Sequence, residues 1–286
     1  MRDLWPQVAG VPVISPMWLT KKHQEPSITK RVRGRVRMLR ITAKQQLMRE
    51  IVDILSVLTD EAKLVWGEKG LGVSVVDGSH VALLSATIAD ECFEMYEVEP
   101  VEIGLELGKM RDLLTLAGPS DLVEMDYDEA VGAINVRVGE VHRILRGVDT
   151  STMDNPNLPQ LDFQSKATID SEKLSRALRA AKFVGELVDL SMDKNQMTVS
   201  VTVEAGEGVN VRFESGELSE LSCASPTHST YSLQFLDPLT RKLAGGLTNE
   251  VTLEFQDKYP LRLTWMSNEG GAKWTYFLAP RVMNDP

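Results

Sequence analysis

The stretch VDTSTMDNPNLPQLDF, residues 148–163, divides the chain into two blocks with the same order of predicted elements. Asp, Ser, Thr, Asn and Pro favour turns and extended backbone over packed elements. Pro156 and Pro159 also bias the residues before them away from helix. The stretch therefore predicts a linker between two folded blocks, residues 38–147 and residues 164–286.

The first block predicts two helices among several strands. Apolar residues between Leu47 and Leu58 recur with the 3.6-residue period of a helix. A second helical pattern over residues 110–117 stops at Gly118, a residue type common just past helix ends. The Asp-Gly-Ser sequence at residues 77–79 indicates a hairpin turn. Strands are predicted at residues 38–41, 71–76, 80–88, 99–105, 122–127, 133–138 and 141–145.

The second block repeats this order. Asp170 or Ser171 is expected to cap its first helix, and its second helix ends in Ala244-Gly245. The phrase LAG occurs at residues 116–118 and again at residues 243–245, each time after a short helix. Such repetition predicts a tandem duplication, with each block itself built from two helix-and-strand units. Strands are predicted at residues 163–169, 188–192, 197–203, 209–213, 251–255, 261–265 and 273–278.

The charge is distributed unevenly along the 286 residues. The formal net charge is -10, with 43% hydrophobic and 25% charged residues, which is typical of a globular protein. Residues 1–37 carry eight basic and two acidic side chains, so the rest of the chain carries -16. We expect residues 1–37 to be a disordered or non-native extension, with a functional basic arm as the alternative. The acidic body leaves room only for a confined nucleic-acid-binding face.

Motif searches exclude several kinds of site. The apolar run at residues 4–19 contains three prolines and is shorter than the roughly 20 apolar residues of a membrane helix. It also lacks a secretory cleavage pattern, so we expect an intracellular protein. Cys92 and Cys223 fit reduced core residues. The histidines lack metal-ligand spacing, and the glycine-rich residues 67–72 precede a strand, which indicates a turn. We therefore expect no metal, no cofactor and no catalytic site.

Basic residues recur on the polar faces of the predicted helices. Arg176, Arg179 and Lys182 follow one another at i, i+3 and i+6, which places them in one stripe. Such stripes would contact phosphates without reading bases. Acidic residues dilute the pattern at Glu50, Asp53, Asp112 and Asp237. The other helices contribute Lys44, Arg49, Lys109, Arg111, Arg241 and Lys242.

Three segments resemble the DNA sliding clamp family of archaea and eukaryotes, proliferating cell nuclear antigen. They are GLGVSVVDGSHVALL at residues 70–84, LLTLAG at residues 113–118 and YFLAPRV at residues 276–282. The resemblance extends over residues 38–282. It implies an α+β clamp fold with domain 1 at residues 38–147, an interdomain connector at 148–163 and domain 2 at 164–286.

The resemblance further implies a homotrimeric ring whose helices line a hole for double-stranded DNA. Asp112 and Thr115 stand where the family often has basic residues, and Pro238 lies in the fourth helix, where only the first turn accommodates it. Subunits would join by edge-strand pairing, through Ala133, Asn135 and Arg137 of one chain and Val209, Val211 and Phe213 of the next. The residues implied to face DNA are Lys44, Arg49, Lys109, Arg111, Arg176, Arg179, Lys182 and Arg241.

Partner proteins with a short clamp-interacting motif would dock in an apolar pocket beside the connector. Leu158 is the apolar residue of the polar linker that we expect to anchor them. The implied partners are the clamp loader, replicative DNA polymerase, flap endonuclease and DNA ligase, in the cytoplasm near the nucleoid of an archaeal-type cell or in a eukaryotic nucleus. The pocket residues are Val76, His80, Leu83, Leu158, Pro260, Phe277, Ala279 and Pro280.

The predicted function is a non-catalytic processivity factor for DNA replication and repair. A subunit of a heterotrimeric clamp is a close variant. An enzyme on a duplicated α+β scaffold would need a site that the motif search does not find. A saddle-shaped minor-groove binder would need aromatic wedges on a sheet face, whereas this sequence offers basic helices.

Overall fold

The computed structural model describes residues 38–153, 156–203 and 206–281. The predictions for residues 1–37, and the last residue of the third motif, Val282, lie outside these ranges. Both halves of the described chain have a strand, a helix, five strands, a helix and three strands. The predicted α+β class and the repeated order of elements are therefore confirmed.

The elements of the first half begin at Met38 and end at Arg146. They are β1 (Met38–Lys44), α1 (Gln45–Leu55), β2 (Glu61–Gly67), β3 (Gly70–Val76), β4 (Ala82–Ala89), β5 (Met95–Val98), β6 (Val101–Glu106), α2 (Leu107–Leu114), β7 (Leu122–Asp128), β8 (Ala133–Val138) and β9 (Val141–Arg146).

The elements of the second half begin at Ser165 and end at Leu278. They are β10 (Ser165–Asp170), α3 (Ser171–Lys182), β11 (Leu187–Met192), β12 (Gln196–Thr202), β13 (Gly208–Glu214), β14 (Glu220–Cys223), β15 (Thr227–Ser232), α4 (Leu233–Lys242), β16 (Glu250–Glu254), β17 (Leu261–Ser267) and β18 (Ala272–Leu278).

The strands form three antiparallel sheets, one of which joins the two halves. Its nine strands run β14-β10-β16-β17-β18-β4-β3-β2-β6, and the halves meet where β18 pairs with β4. The first half adds a five-stranded sheet, β5-β1-β7-β8-β9, and the second adds a four-stranded sheet, β13-β12-β11-β15. The strands β9 and β13 therefore lie at sheet edges.

This strand order corrects one predicted subunit contact. Ala133, Asn135 and Arg137 lie on β8, which is hydrogen-bonded to β7 on one side and to β9 on the other. A strand that is paired on both sides has no free backbone groups for a neighbour. The prediction that these residues pair with another subunit is therefore wrong, and the edge strand next to β8 is β9.

All four helices bury one apolar face. On α1, Leu47, Ile51 and Ile54 are almost inaccessible, as their helical period predicts. The helices pack in pairs, α1 with α2 and α3 with α4, and α1 also contacts α4 across the two halves. Asp170 caps α3 as predicted, because its Oδ1 accepts the Lys173 N–H at 2.9 Å.

Some boundaries differ from the sequence predictions. The helix α2 ends at Leu114, so Gly118 belongs to the following loop, where its N–H binds Asp121 Oδ2. The helix α4 continues through Pro238, beyond its first turn, at the expense of one backbone hydrogen bond. The turn predicted in residues 67–72 is confirmed between β2 and β3. Gly70 is needed there, with a φ of 130° and the Ile88 carbonyl 2.1 Å from where a Cβ would stand.

Four strands, β2, β5, β14 and β15, are absent from the sequence predictions. Both β5 and β14 have only four residues, too few to show a period. In β15 two of the buried positions, Thr227 and Ser229, are polar, so the strand gives no regular hydrophobic alternation.

A buried carboxylate connects the two halves. Glu50 on α1 is 4% exposed and accepts hydrogen bonds from Trp274 Nε1 at 2.9 Å, from Asn268 Nδ2 at 3.0 Å and from the Ser267 hydroxyl. Burial raises the pKa of Glu50 and outweighs these three donors, which lower it. Asn268 and the residue after it, Glu269, have φ values of 50° and 56°, so Glu50 holds a strained turn between β17 and β18.

Candidate nucleic-acid and protein interfaces

Arg176 and Arg179 are exposed one helical turn apart on α3. Within the described ranges, no acidic side chain forms an ion pair with either guanidinium. Lys182, in the last turn, pairs with Glu186 at 2.5 Å. The stripe predicted on α3 thus contains two arginines whose charge is not shared with a carboxylate.

The other cations of the predicted DNA-facing set are all paired with carboxylates. Exposed ion pairs of this kind cost little to break, but each reduces the local positive potential. Two of them, Arg49 and Arg111, share Asp53, which also holds Lys242 of α4 at 3.3 Å. The remaining pairs are Lys44 with Glu94 at 3.5 Å, Lys109 with Glu106 at 2.6 Å and Arg241 with Asp237 at 2.7 Å.

The Asp-Gly-Ser sequence forms a turn that is organised by one carboxylate. Asp77 accepts the backbone N–H groups of Ser79, Val81 and Ala82 at 2.6–2.8 Å, together with the Ser79 hydroxyl. Burial opposes the charged form, but these donors outweigh it and lower the pKa of Asp77. His80 has a φ of 56° in this turn, which is why β4 begins at Ala82 and not at His80.

The connector packs on the sheet through Leu161. This side chain is buried in a small apolar cluster with Leu83 of β4 and Phe277 of β18. Phe163 extends the cluster toward Tyr259, with ring centroids 5.7 Å apart, and the Arg262 guanidinium lies 4.6 Å from the centre of the Phe163 ring. Neither Leu161 nor Phe163 was among the predicted pocket residues, although their alternation before β10 could have indicated them.

The predicted pocket residues fall into two groups. Leu83, Pro260, Phe277, Ala279 and Pro280 are buried in the chain itself. In contrast, His80 and Leu158 are exposed, Leu158 at 45%, and Val76 is half-buried. The buried residues form the floor of the predicted pocket, and the exposed residues are accessible to a partner protein.

Two of the edge strands, β9 and β13, lie beside exposed apolar side chains. On β9, Ile144 is 61% exposed, and Val141 is also accessible. Near β13, which carries Val209 and Val211, Phe183 directly follows α3 and is 85% exposed. Exposed apolar groups beside an unpaired strand are typical of a contact surface.

The charges on these two edges differ in sign. Arg143 and Arg146 lie on β9, and Glu207 and Glu214 lie at the two ends of β13 with Arg212 between them. Opposite signs on two edges of one chain suit pairing between copies of that chain.

Comparisons with known proteins agree with this architecture. Residues 38–151 match the family model described as proliferating cell nuclear antigen, N-terminal domain. Among curated relatives, the DNA polymerase sliding clamp of Methanothrix thermoacetophila is 29% identical to this chain. The aligned region covers 86% of this chain and 99% of the relative. The DNA polymerase sliding clamp of Natronomonas pharaonis is 28% identical, and the aligned region covers 82% of this chain and 94% of the relative. Over most of its length, the chain is similar to DNA polymerase sliding clamps.

Solved structures of the clamp family share the fold. A. fulgidus PCNA, solved with the C-terminal region of FEN-1 bound, superposes with a TM-score of 0.79 at 24% identity, over 86% of this chain and all of that one. PCNA from Thermococcus kodakaraensis gives 0.77 at 22% identity, over 85% of this chain and all of that one. The clamp fold predicted from the three motifs is therefore confirmed.

The described residues contain no metal-binding cluster and no membrane-spanning helix. Within the described ranges, no group of three His, Cys, Asp or Glu side chains is placed to hold a metal ion. In the same part of the chain, no helix is long and apolar enough to cross a membrane. Both cysteines are free, with Cys223 buried and Cys92 partly buried.

Proposed function

We propose that three copies of this chain form a ring around double-stranded DNA and act as a non-catalytic processivity factor. Residues 38–147 and 164–286 would be the two clamp domains of each subunit, joined by the connector 148–163. The observation that carries the proposal is that two edge strands, β9 and β13, have exposed apolar groups and different charges.

Ring closure would pair β9 of one subunit with β13 of the next. Each subunit would then pair these two edges with its neighbours, which removes the unpaired backbone groups of β9 and β13 that favour aggregation. Val209 and Val211 would keep the interface role predicted for them, whereas the side chain of Phe213 is buried in its own chain. On β9, Val141 and Ile144 replace the residues of β8. Both complementary edges occur on one chain, and this favours a homotrimer over a heterotrimer.

DNA would pass along the helices and contact Arg176 and Arg179 most strongly. Contacts between arginine and phosphate do not depend on sequence, so the ring could move along the duplex. The paired cations on the other helices would add weaker contacts. Such a clamp works where the chromosome lies, which in an archaeal-type cell is the cytoplasm near the nucleoid.

Partner proteins would dock on the exposed side of the connector cluster. In the relative solved with the C-terminal region of FEN-1, a nuclease segment is bound to a clamp. A flap endonuclease is therefore a partner that we propose here too, with the clamp loader, replicative polymerase and ligase as further candidates. The motif would insert an apolar side chain beside Leu158 and over the floor formed by Leu83 and Phe277.

A matched pair of variants tests the docking site. Leu158→Ala should weaken binding of a clamp-interacting peptide about 30-fold, because truncating an anchor residue costs about 2 kcal/mol. Leu161→Ala should mainly lower the free energy of unfolding, because Leu161 is buried in the cluster. Calorimetric titration and urea unfolding give the two quantities. Unchanged peptide affinity in Leu158→Ala would exclude this docking site.

Topology on DNA tests the ring itself. After loading on a nicked circular duplex, the protein should remain bound at 0.5 M salt and should be lost when the circle is cut. A protein that binds the surface of DNA would be retained equally on circular and linear molecules, and that outcome would contradict encirclement. An enzyme on this scaffold would instead reveal itself by turnover of the DNA.

A further inference from the structure

Asp53 is the point where three helices of the DNA-facing layer meet. Its carboxylate is 3.6 Å from Arg49 Nε on α1, 3.3 Å from Arg111 Nε on α2 and 3.3 Å from Lys242 Nζ on α4. The Asp53 side chain is only 15% exposed, whereas the three cations are each 41–49% exposed. One half-buried carboxylate thus holds three exposed cations from both halves of the chain.

The surroundings of Asp53 form an open cleft in the helix layer. This cleft has a volume of about 590 Å³ and lies between α1 and the end of α4, with Arg241 also on its wall. Arg241 binds Asp237, which is itself only 9% exposed. The cations on this part of the helix layer are therefore all held by carboxylates that lie deeper than they do.

We propose that Asp53 is a positioning residue that holds Arg49, Arg111 and Lys242 away from the DNA. It would thereby lower the affinity of the ring for DNA at the junction of its two domains. This inference rests on the proposed function. A carboxylate that shares three cations lowers the positive potential that a phosphate would meet, and it fixes side chains that would otherwise extend. The affinity of the ring for DNA then depends mainly on Arg176 and Arg179, and a low total affinity permits the ring to slide along the duplex.

The salt dependence of DNA binding tests the role of Asp53. For the full chain and a fluorescent 30-base-pair duplex, anisotropy titrations over a range of KCl concentrations give the affinity and its salt slope. Asp53→Asn should bind about two- to fivefold more tightly, the range that exposed ion pairs contribute. The slope of log affinity against log salt should steepen by about 0.9 for each additional phosphate contacted.

Glu124→Gln is the matched control. It changes the net charge equally and also frees an arginine, Arg137, which lies 3.4 Å from Glu124. Glu124 is on the face of β7 opposite the buried Val123 and Met125, so it lies away from the helix layer. The control should leave the slope unchanged. Equal slopes in Asp53→Asn, Glu124→Gln and wild type would overturn the inference.

A second comparison covers the case in which Asp53→Asn fails to assemble. Arg49→Gln, which removes a restrained cation, should reduce the salt slope less than Arg176→Gln, which removes an unpaired one. Equal reductions would overturn the inference. If wild type itself shows no salt-dependent binding to the duplex, the proposed function fails and the inference fails with it. Salt-dependent binding by wild type with no effect of Asp53 overturns the inference alone.

Discussion

The helix layers of the two halves have the same architecture but differ in the ion pairing of their basic side chains. In the first half, Arg49 and Arg111 converge on Asp53, and Lys109 is paired with Glu106. In the second half, α3 presents Arg176 and Arg179 with no ion pair among the described residues. The difference between the halves therefore lies in α3: the cations of α1 and α2 are neutralised, whereas two arginines of α3 are not.

The sheet edges show a second difference between the halves. The edge of the first half, β9, carries arginines, and the edge of the second half, β13, has glutamates at its ends. Identical edges would favour two-fold pairing of like with like, whereas different edges favour head-to-tail association and closed rings. The difference between the halves is therefore what a ring of identical subunits requires.

The largest effect is expected at the edge of the first half. Ile144→Glu should weaken subunit association at least 100-fold, or about 3 kcal/mol, because it places a charge in the centre of the proposed apolar contact. Sedimentation at several protein concentrations measures the change. Met266→Glu, at a similarly exposed position on β17, should assemble like wild type. Equal assembly of both variants would remove β9 from the interface.

The next effect concerns the carboxylate that joins the halves. Glu50→Ala should lower the free energy of unfolding by about 2–3 kcal/mol, because it leaves buried donors of Trp274 and Ser267 unpaired. Urea unfolding measures this difference, with Glu97→Ala, an exposed partner of Arg40, as the control. A loss no larger than that of the control would mean that Glu50 does not hold the two halves together.

The raised pKa of Glu50 gives this prediction a pH dependence. The folded state binds the Glu50 proton more tightly than the unfolded state does, so the contribution of this group to stability decreases as pH rises through the folded pKa. Glu50→Gln has no such titration. The stability of wild type relative to Glu50→Gln should therefore fall between acidic and neutral pH, and a constant difference would contradict the buried carboxylate.

A smaller effect is expected on the salt dependence of DNA binding, and it should differ between the helix layers of the two halves. Replacing Arg176 and Arg179 by Gln should reduce the salt slope of DNA binding by about 1.8, since each lost phosphate contact changes it by about 0.9. Replacing Lys109 and Arg111 by Gln removes the same charge but should change the slope less, because both cations are already paired. Equal changes in the two double variants would show that the layers do not differ.

The sequence predicts those features that depend on local patterns. The helical faces of α1 and α3, the cap at Asp170 and the turn around Asp77 follow from residue spacing and turn chemistry. The wrong assignment of β8 has a different origin. Which strand lies at a sheet edge depends on the order in which strands pair, and the alternation of β8 alone does not show that β9 covers it.

The site was predicted less completely than the fold. The basic residues of the helices could be identified from their spacing, but not their partners: Asp53 meets Lys242 only because α1 packs against α4. In the connector, Leu158 was prominent because its neighbours are polar, whereas Leu161 became informative only once its packing on Leu83 and Phe277 was known. Contacts between residues far apart in sequence leave no local signal.

The most direct test of the central claim is the mass of the protein in solution, measured by light scattering at several salt concentrations. A ring closed by β9 and β13 predicts a mass of three chains over a wide range of protein concentration, with dissociation favoured where the charges of the two edges are screened. A monomer at every salt concentration, with no trimer on DNA, would contradict the account.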